Sequence, residues 1–354
     1  MKALVLSGGA GTRLRPITHT TAKQLVPLAN KPILFYGLEA IAAAGITEVG
    51  IVVGDTAPAI EAAVGDGSAL GISVTYIRQE EPLGLAHCVL IAQDFLGDEP
   101  FVMYLGDNLI IGGINDFVDD FVREQPDVLV LLTKVEHPEQ FGVAELGPEG
   151  TLVRLVEKPV DPPSDLALVG VYLFDAGIHQ AVRAIQPSGR GELEITDAIQ
   201  WVLEQGKSVR YHVLDRPWID TGKRQDLLEA NRIVLEGIQT DVRGMVDGES
   251  RITGNVIVED GAEVRDSVVR GPAVIGTGTT IANSYIGPYS SIGPRCEVID
   301  AEIEHSVVLE GSRIEGVRRV DDSLIGRNSE VRHVTSGPKA YRFLVGDDCE
   351  VDVL

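Results

Sequence analysis

Cysteine is scarce in this 354-residue chain. The three present, Cys88, Cys296 and Cys349, are widely spaced and odd in number. They build neither a disulfide framework nor a zinc-type cluster, so a reducing cytoplasm is the expected setting. Long apolar runs are also missing. No stretch reaches the roughly 18 apolar residues that mark a membrane span, and Ala3-Leu4-Val5-Leu6 is too short for a secretion signal and reads as a strand. Positive charge is short as well: 30 Lys and Arg stand against 53 Asp and Glu, a net charge of −23. The parts on either side of residue 240 are both acidic, at −15 and −8. Such a chain repels nucleic acid and anionic membranes at long range, so neither is expected as a partner.

The acid itself is missing from one place. Residues 1–38 hold Lys2, Arg13, Arg15, Lys23 and Lys31 but no Asp or Glu; the first acid is Glu39. Five cations beside a cluster of glycines, in an otherwise acidic chain, point to a site for a small anion.

The first two-thirds alternates strand-like and helix-like segments. Strands are expected near 3–6, 49–53, 73–77, 101–105 and 128–133, and helices near 32–44, 57–64, 85–95 and 114–123. That rhythm predicts an α/β domain with a mostly parallel sheet, whose ligands sit beyond the strand C-terminal ends. From about residue 140 the rhythm loosens, with strands near 143–145, 152–157, 169–174 and 209–213 and helices near 178–185, 195–205 and 224–235.

The tail has another period. Ile252, Val258, Val264, Val269, Ile275, Ile281, Ile286, Ile292, Val298, Ile303, Val308, Ile314, Val320, Ile325 and Val331 follow one another at steps of 5 or 6, and three steps usually sum to 17. Neither a helix nor a flat strand has that period. A coil with three flat faces has it, so 241–354 is expected to be a hexapeptide-repeat left-handed parallel β-helix. Residues 1–240 would then form the other domain.

The chemistry-bearing motifs start directly after the first strand. Leu6-Ser7-Gly8-Gly9-Ala10-Gly11-Thr12-Arg13-Leu14-Arg15-Pro16 lets backbone N–H groups approach a phosphate. It lacks the Gly-Lys-Ser/Thr end of a Walker loop and the last small residue of a dinucleotide fingerprint. Ala22-Lys23-Gln24-Leu25-Val26-Pro27 lies close by. Together these two motifs resemble those of the sugar-1-phosphate nucleotidylyltransferases, and the Lys-Gln-Leu variant resembles the glucose-1-phosphate thymidylyltransferases. The resemblance covers about residues 1–240. It extends through Gln79-Glu80-Glu81-Pro82-Leu83-Gly84-Leu85-Ala86, Gly106-Asp107-Asn108, Phe141-Gly142-Val143, Glu157-Lys158-Pro159, Arg190-Gly191-Glu192-Leu193-Glu194-Ile195-Thr196-Asp197 and Trp218-Ile219-Asp220-Thr221-Gly222.

The resemblance implies a Rossmann-like nucleotidyltransferase fold and transfer of a thymidylyl group from dTTP to glucose 1-phosphate, giving dTDP-glucose and pyrophosphate. It implies that Leu6, Gly8, Gly9, Gly11, Thr12, Arg13, Gln24, Gln79, Gly84 and Asp107 meet the nucleotide, with Gln79 reading the pyrimidine edge and Gly84 letting the base pack on backbone. Gly142, Glu157, Lys158, Leu168, Glu192 and Asp220 would meet the sugar phosphate. Arg13, Lys23 and Lys158 would carry catalysis, and Asp107 and Asp220 would hold Mg²⁺. The residue types suit these tasks: carboxylates are hard ligands for Mg²⁺, a guanidinium is a planar fork for pyrophosphate, and phosphoryl transfer asks for charge neutralisation and alignment. Ser7, Phe141 and His87 depart from the commoner Ala, Tyr and Gln of the family, and Leu168 stands where short members have Val. Alternatives are a UTP-using uridylyltransferase and a bifunctional enzyme whose solenoid transfers acyl groups. The solenoid is expected to serve assembly into a homo-oligomer.

Overall fold

The computed structural model describes residues 1–9, 11–334 and 341–352. Ala10 of the glycine motif therefore lies outside the described residues. The chain forms two compact units, one of residues 1–10 and 33–220, the other of residues 11–32 and 221–354.

A nine-stranded sheet organises the first unit. Lys2–Ser7 lies in its middle, buried from Ala3 onward, between Glu48–Val53 and Phe101–Leu105, and it runs parallel to both. Ser73–Arg78 adds in parallel to the far edge of Glu48–Val53. The three inner strands are near-continuous apolar runs, the pattern of strands covered on both faces, while the edge strand Ser73–Arg78 alternates. Helix Ile33–Ala43 covers one face with Ile33, Leu34, Leu38 and Ile41, all fully buried.

On the other side of Phe101–Leu105 the direction reverses. Leu166–Phe174 runs antiparallel to Phe101–Leu105 and to Val128–Lys134, while the hairpin Gly142–Leu146 and Leu152–Glu157 joins its first end. Val209–Val213 pairs in parallel with Val128–Lys134. The sheet is thus mixed, where the alternation of segments predicts a mostly parallel one. Connection length is the reason at the hairpin. Parallel neighbours need a crossover of about a dozen residues or more, and only five residues separate Leu146 from Leu152, so these two strands can pair only as an antiparallel hairpin. The helix expected over 85–95 is broken at Ala92 (φ −88°, ψ 1°) into Leu85–Ile91 and Gln93–Leu96.

In the second unit, residues 241–332 wind into a parallel solenoid with three sheets of six, six and four strands. Its registers stack the predicted aliphatics one above another. Ile252, Val269, Ile286 and Ile303 form one column, with Val320 bridged beyond them. Val258, Ile275, Ile292, Val308 and Ile325 form the second, and Val264, Ile281, Val298, Ile314 and Val331 the third. This is the architecture expected of a hexapeptide-repeat β-helix. Serines repeat with the same period: Ser267 N donates to Ser250 Oγ, Ser284 N to Ser267 Oγ and Ala301 N to Ser284 Oγ, each at 3.1 Å. Each hydroxyl satisfies a corner amide that no strand pairing reaches. Pairing starts earlier than the aliphatic column, at Asp241–Val242 and Met245–Val246. Among the described residues, no helix is long and apolar enough to cross a membrane.

Candidate active site

The predicted residues divide between the two units. Leu6, Gly8, Gly9, Gln79, Gly84, Asp107, Gly142, Glu157, Lys158, Leu168, Glu192 and Asp220 belong to the first; Gly11, Thr12, Arg13, Lys23 and Gln24 belong to the second.

In the first unit the two aspartates are joined by a short antiparallel ribbon. Asn108–Ile110 pairs with Trp218–Asp220, and Asp220 faces Asn108 directly, one residue from Asp107. Asn108 is buried and its side chain is the hub. Its Oδ1 accepts from Trp218 Nε1 at 2.7 Å and from Gly170 N at 3.1 Å, and its Nδ2 donates to Asp107 Oδ1 at 3.1 Å. One side chain therefore ties Asp107 both to the strand that ends in Asp220 and to the antiparallel strand of the main sheet. Two half-exposed carboxylates held this way are a hard-oxygen donor set that fits a small divalent cation.

Glu157, at the end of its strand, pairs across the hairpin with Gly142. A Cβ on Gly142 would lie 2.8 Å from Leu168 Cδ1, 2.8 Å from Thr196 Oγ1 and 3.1 Å from Glu157 Oε2, so the missing side chain leaves room between three side chains. Glu157 is tightly held. Thr196 Oγ1 donates to its Oε2 at 2.7 Å, Arg190 Nη2 to its Oε1 at 3.1 Å, and Lys158 Nζ lies 3.4 Å from that same oxygen. Arg190 also donates to the buried Glu194 at 2.8 Å and stands 3.9 Å from Glu192. Burial, aided by Glu194 and Glu157, raises the Asp197 carboxyl above its ordinary range. Burial, with Glu157 and Asp220 nearby, raises the Tyr172 hydroxyl. Glu157, Lys158, Glu192, Gly142 and Leu168 thus converge, and Tyr172 lies within reach of both Glu157 and Asp220. Phe141, in place of the commoner Tyr, sets its ring edge-on to Trp218 at 5.7 Å between centroids.

Gln79 follows strand Ser73–Arg78 and is 9% exposed, with its backbone N on Val53 O at 2.9 Å. Its Nε2 lies 3.1 Å from His87 Nδ1 and 3.4 Å from Gly84 O. Gly84 has φ 102°, and a Cβ there would meet Leu193 O at 2.4 Å. The contact the structure displays at Gly84 is with backbone of its own chain: Leu193 N donates to Leu83 O and Ala86 N to Leu193 O. Cys88 is buried beside these groups, which pushes its thiol up to about 12 and keeps it protonated.

In the second unit, Gly11 (φ 61°) opens the single turn Thr12–Leu14. Thr18 Oγ1 donates to Gly11 O at 2.6 Å, and the Gly11 Cα lies against Lys23 and Thr18, so the glycine loop and the lysine motif close on each other. Lys23 is 6% exposed, an unusual burial for a cation. Gln24 is buried too, and among the described residues no donor reaches its Oε1. The exposed Arg13 lays its guanidinium against Gly222, whose Cβ would be 3.2 Å from Nη2.

The nucleotidyl transferase family model matches residues 2–237. The chain belongs to this family. Over 353 residues, all of this chain and 99% of the relative, it is 58% identical to a glucose-1-phosphate thymidylyltransferase of Streptomyces griseus. It is 56% identical to a protein of the same name from Streptomyces antibioticus, again over all of this chain and 99% of the relative. A Bacillus anthracis crystal structure, described provisionally as a glucose-1-phosphate thymidylyltransferase, superposes with a TM-score of 0.63 at 33% identity, covering 68% of this chain and 97% of that one.

Three residues stand in this candidate site that motif reading leaves without a role: Asn108, Arg190 and Thr196. Each lies inside a matched motif, so the signal was a polar residue at a buried or convergent position. A separate open cleft, lined by Tyr36, Glu39, Ile111, Asn115 and Arg216 among others, includes none of the predicted site residues.

Proposed function

We propose that the protein transfers a thymidylyl group from dTTP to glucose 1-phosphate, releasing pyrophosphate. The observation that carries this reading is the convergence of Glu157, Lys158, Arg190 and Glu192 with the ribbon bearing Asp107 and Asp220, in a chain similar from end to end to two glucose-1-phosphate thymidylyltransferases.

A phosphate oxygen of the sugar phosphate attacks the α-phosphorus of dTTP. The bond to the α,β-bridging oxygen breaks, and its electron pair leaves with pyrophosphate. No side chain is acylated or phosphorylated, so the residues act by positioning and charge. Lys158 holds the sugar phosphate, Glu157 and Glu192 accept hydrogen bonds from sugar hydroxyls, and Gly142 and Leu168 shape the space beside them. Leu6, Gly8, Gly9, Gly11 and Thr12 offer backbone to the nucleotide, Gln24 and Gln79 offer amides, and Gly84 keeps the backbone beside the base low. Arg13 and Lys23 neutralise the departing charge. Asp107 and Asp220 would hold Mg²⁺, which when bound supplies further neutralisation of the triphosphate.

We assign catalysis to residues 1–240 and assembly of a cytoplasmic homo-oligomer to residues 241–354. The exposed Met245 and Val268 on the solenoid's outer faces, with Val242 exposed at its first coil, support that second assignment.

The test is pyrophosphate release by pure protein with dTTP and glucose 1-phosphate, against each substrate alone, ATP, UTP and EDTA-treated enzyme. Release that needs both substrates and a divalent metal is expected. Equal rates with ATP, or full activity in EDTA, would refute the reading.

A further inference from the structure

We propose that His305, Asp321 and Asp322 bind a borderline divalent cation of the Zn²⁺ type, which clips the last coil of the solenoid to the coil before it. The site lies apart from the residues assigned to thymidylyl transfer and does not rest on that reading.

Stacking of the coils brings the three residues together. His305 and Asp322 stand at the same corner of successive coils, each in left-handed backbone with φ 46°. Tyr289 stands there one coil earlier, with φ 60°, and its ring lies 5.3 Å from the imidazole between centroids. His305 Nδ1 is 3.7 Å from Asp321 Oδ1 and 4.0 Å from Asp322 Oδ1. One ligand atom from each residue lies within 4.8 Å of the other two. Around a tetrahedral Zn²⁺, ligand atoms about 2.1 Å from the metal stand about 3.4 Å from one another. Closing on an ion therefore asks for about 0.3–0.6 Å on the imidazole side and at most about 1.4 Å between any two ligand atoms. All three side chains are exposed and free to make such shifts. A metal takes the lone pair of an imidazole nitrogen, so the cation itself selects the tautomer that leaves Nδ1 bare.

The charges suit a dication. Asp321 is held at both oxygens: Asp322 N donates to Oδ1 at 3.1 Å, and Arg319 Nη2 stands 3.6 Å from Oδ2. Arg319 also pairs with Glu304. Three carboxylates against one guanidinium leave two negative charges beside a neutral imidazole. A nitrogen ligand among carboxylates favours zinc over Mg²⁺, which prefers oxygen and keeps its waters.

The cluster stands where the pairing of the solenoid runs out. On two faces the last coil still pairs by strands, Leu324–Ile325 on Val307–Val308 and Glu330–Arg332 on Arg313–Glu315. On the third, an isolated bridge joins Val320 to Ile303. At the neighbouring corner, Tyr289 N donates to Pro272 O at 2.7 Å and His305 N to Pro288 O at 3.0 Å, each reaching back one coil. Asp322 N, one coil further on, is turned to the Asp321 carboxylate instead. A cation shared by His305 and the two aspartates would restore a link between coils at that corner. An end coil has a neighbour on one side only, so a link counts most there. The competing view makes the cluster two exposed ion pairs of a protonated His305, which contribute little and hold no metal.

The experiment titrates Zn²⁺ into the full-length protein by calorimetry, with Mg²⁺ saturating. A Cys349→Ser background removes the exposed thiol as a rival ligand. His305→Asn and Asp322→Asn are compared in that background, because asparagine tolerates the left-handed corner. His305→Asn should bind one Zn²⁺ fewer than the parent. Asp322→Asn should bind that ion at least about tenfold more weakly. Amide hydrogen exchange over residues 320–332 should slow on adding Zn²⁺ in the parent and stay unchanged in His305→Asn. Should His305→Asn fail to fold, Asp322→Asn makes the same comparison. Equal Zn²⁺ stoichiometry with Kd within about twofold of the parent in a folded variant overturns the site. Zn²⁺ binding that leaves exchange of the last coil unchanged overturns the clip.

Discussion

Replacing Asn108 by alanine removes one acceptor that serves two donors and one donor that holds Asp107. The Gly170 N–H lies in a fully buried environment, 3.1 Å from Asn108 Oδ1, and loses its partner. An unsatisfied buried donor of this kind costs about 1–3 kcal/mol. The indole N–H of Trp218 also loses its partner, at 2.7 Å, but this residue is only half-buried and water can compensate in part. Its share is about 1 kcal/mol. The total, roughly 2–4 kcal/mol, corresponds to a fall in melting temperature of roughly 5–15 °C for a unit of this size. Activity should fall further than stability explains, because the Asp107 oxygen loses its tether and the ribbon to Asp220 loosens. Turnover at a temperature where the variant is fully folded should drop by at least about tenfold, ~1.4 kcal/mol in the barrier. Asn108→Asp separates the two effects. It keeps an oxygen for both donors but places a second oxygen 3.1 Å from Asp107 Oδ1, where the amide nitrogen stood. That variant should melt closer to the parent yet lose turnover. Melting by circular dichroism and pyrophosphate release measure the pair. If Asn108→Ala melts within about 1 °C of the parent and turns over within about twofold, the hub carries no energy and the reasoning fails.

Ser7→Ala should raise stability by about 1 kcal/mol, read from urea unfolding, because the fully buried Ser7 hydroxyl has no partner among the described residues; a loss of stability would mean that the hydroxyl is bonded after all. Gly84→Ala should cost at least about 3 kcal/mol and abolish dTTP use, since the new Cβ would meet Leu193 O at 2.4 Å with φ at 102°, and a near-parental melting curve would contradict that geometry. Asp197→Asn should stabilise at neutral pH. Its folded carboxyl titrates above the unfolded one, so ionising it weakens the fold as pH rises through the folded value; the advantage should vanish below about pH 4, where both forms are protonated, and an advantage that persists there would rule out ionisation as its source. Removing everything after Gln239 should impair dTTP use as well as lower the melting temperature, because the segment bearing Arg13 and Lys23 forms part of the same unit as the solenoid; parental kcat/KM in the truncated protein would show that segment to be independent.

The most legible features in the sequence were those with a period. Fifteen aliphatics at steps of 5 and 6 have no other economical explanation, and the registers stack the same residues in columns. Gly142 and Glu157 were legible as separate motifs, and their direct pairing follows once the hairpin between them is seen. Less legible was anything that depends on who meets whom across long separations. Asn108 looks like a turn residue until Gly170 and Trp218 arrive from 62 and 110 positions away. Arg190 looks like surface until three glutamates gather on it. Gly84 looks like an adaptation to a ligand, while the structure sets Leu193 against it. The first solenoid coil escaped the pattern because Val242 and Met245 are exposed and Val246 is only partly buried, so no regular aliphatic column announces them.

The second unit also changes what the solenoid is for. On strands Ala273–Ile275, Ser290–Ile292 and Val307–Val308 the inward residues fill the coil, so Val274, Ser291 and Val307 point outward. Outward residues of a free-standing coil would be wet, as Val268 is at 40% exposure on another face; these three are at most 2% exposed. Something within the unit covers them, and the hydrogen bonds identify it. Asn231, buried on helix Arg224–Glu236, accepts from Ser291 Oγ at 2.7 Å and from Ala29 N at 2.9 Å, and donates to Tyr289 O at 3.3 Å. Asn30 donates to Ile292 O at 2.8 Å. Ala29 and Asn30 both adopt positive φ, a costly turn for non-glycine residues that persists because these bonds determine it. That turn ends the segment in which Arg13 and Lys23 lie. The solenoid therefore has a role inside its own chain: one of its three faces is the floor on which the cation-bearing segment is folded. A rigid floor of stacked coils suits the role proposed for Arg13 and Lys23, since a side chain held on a regular scaffold loses less freedom on binding than one on a loose loop.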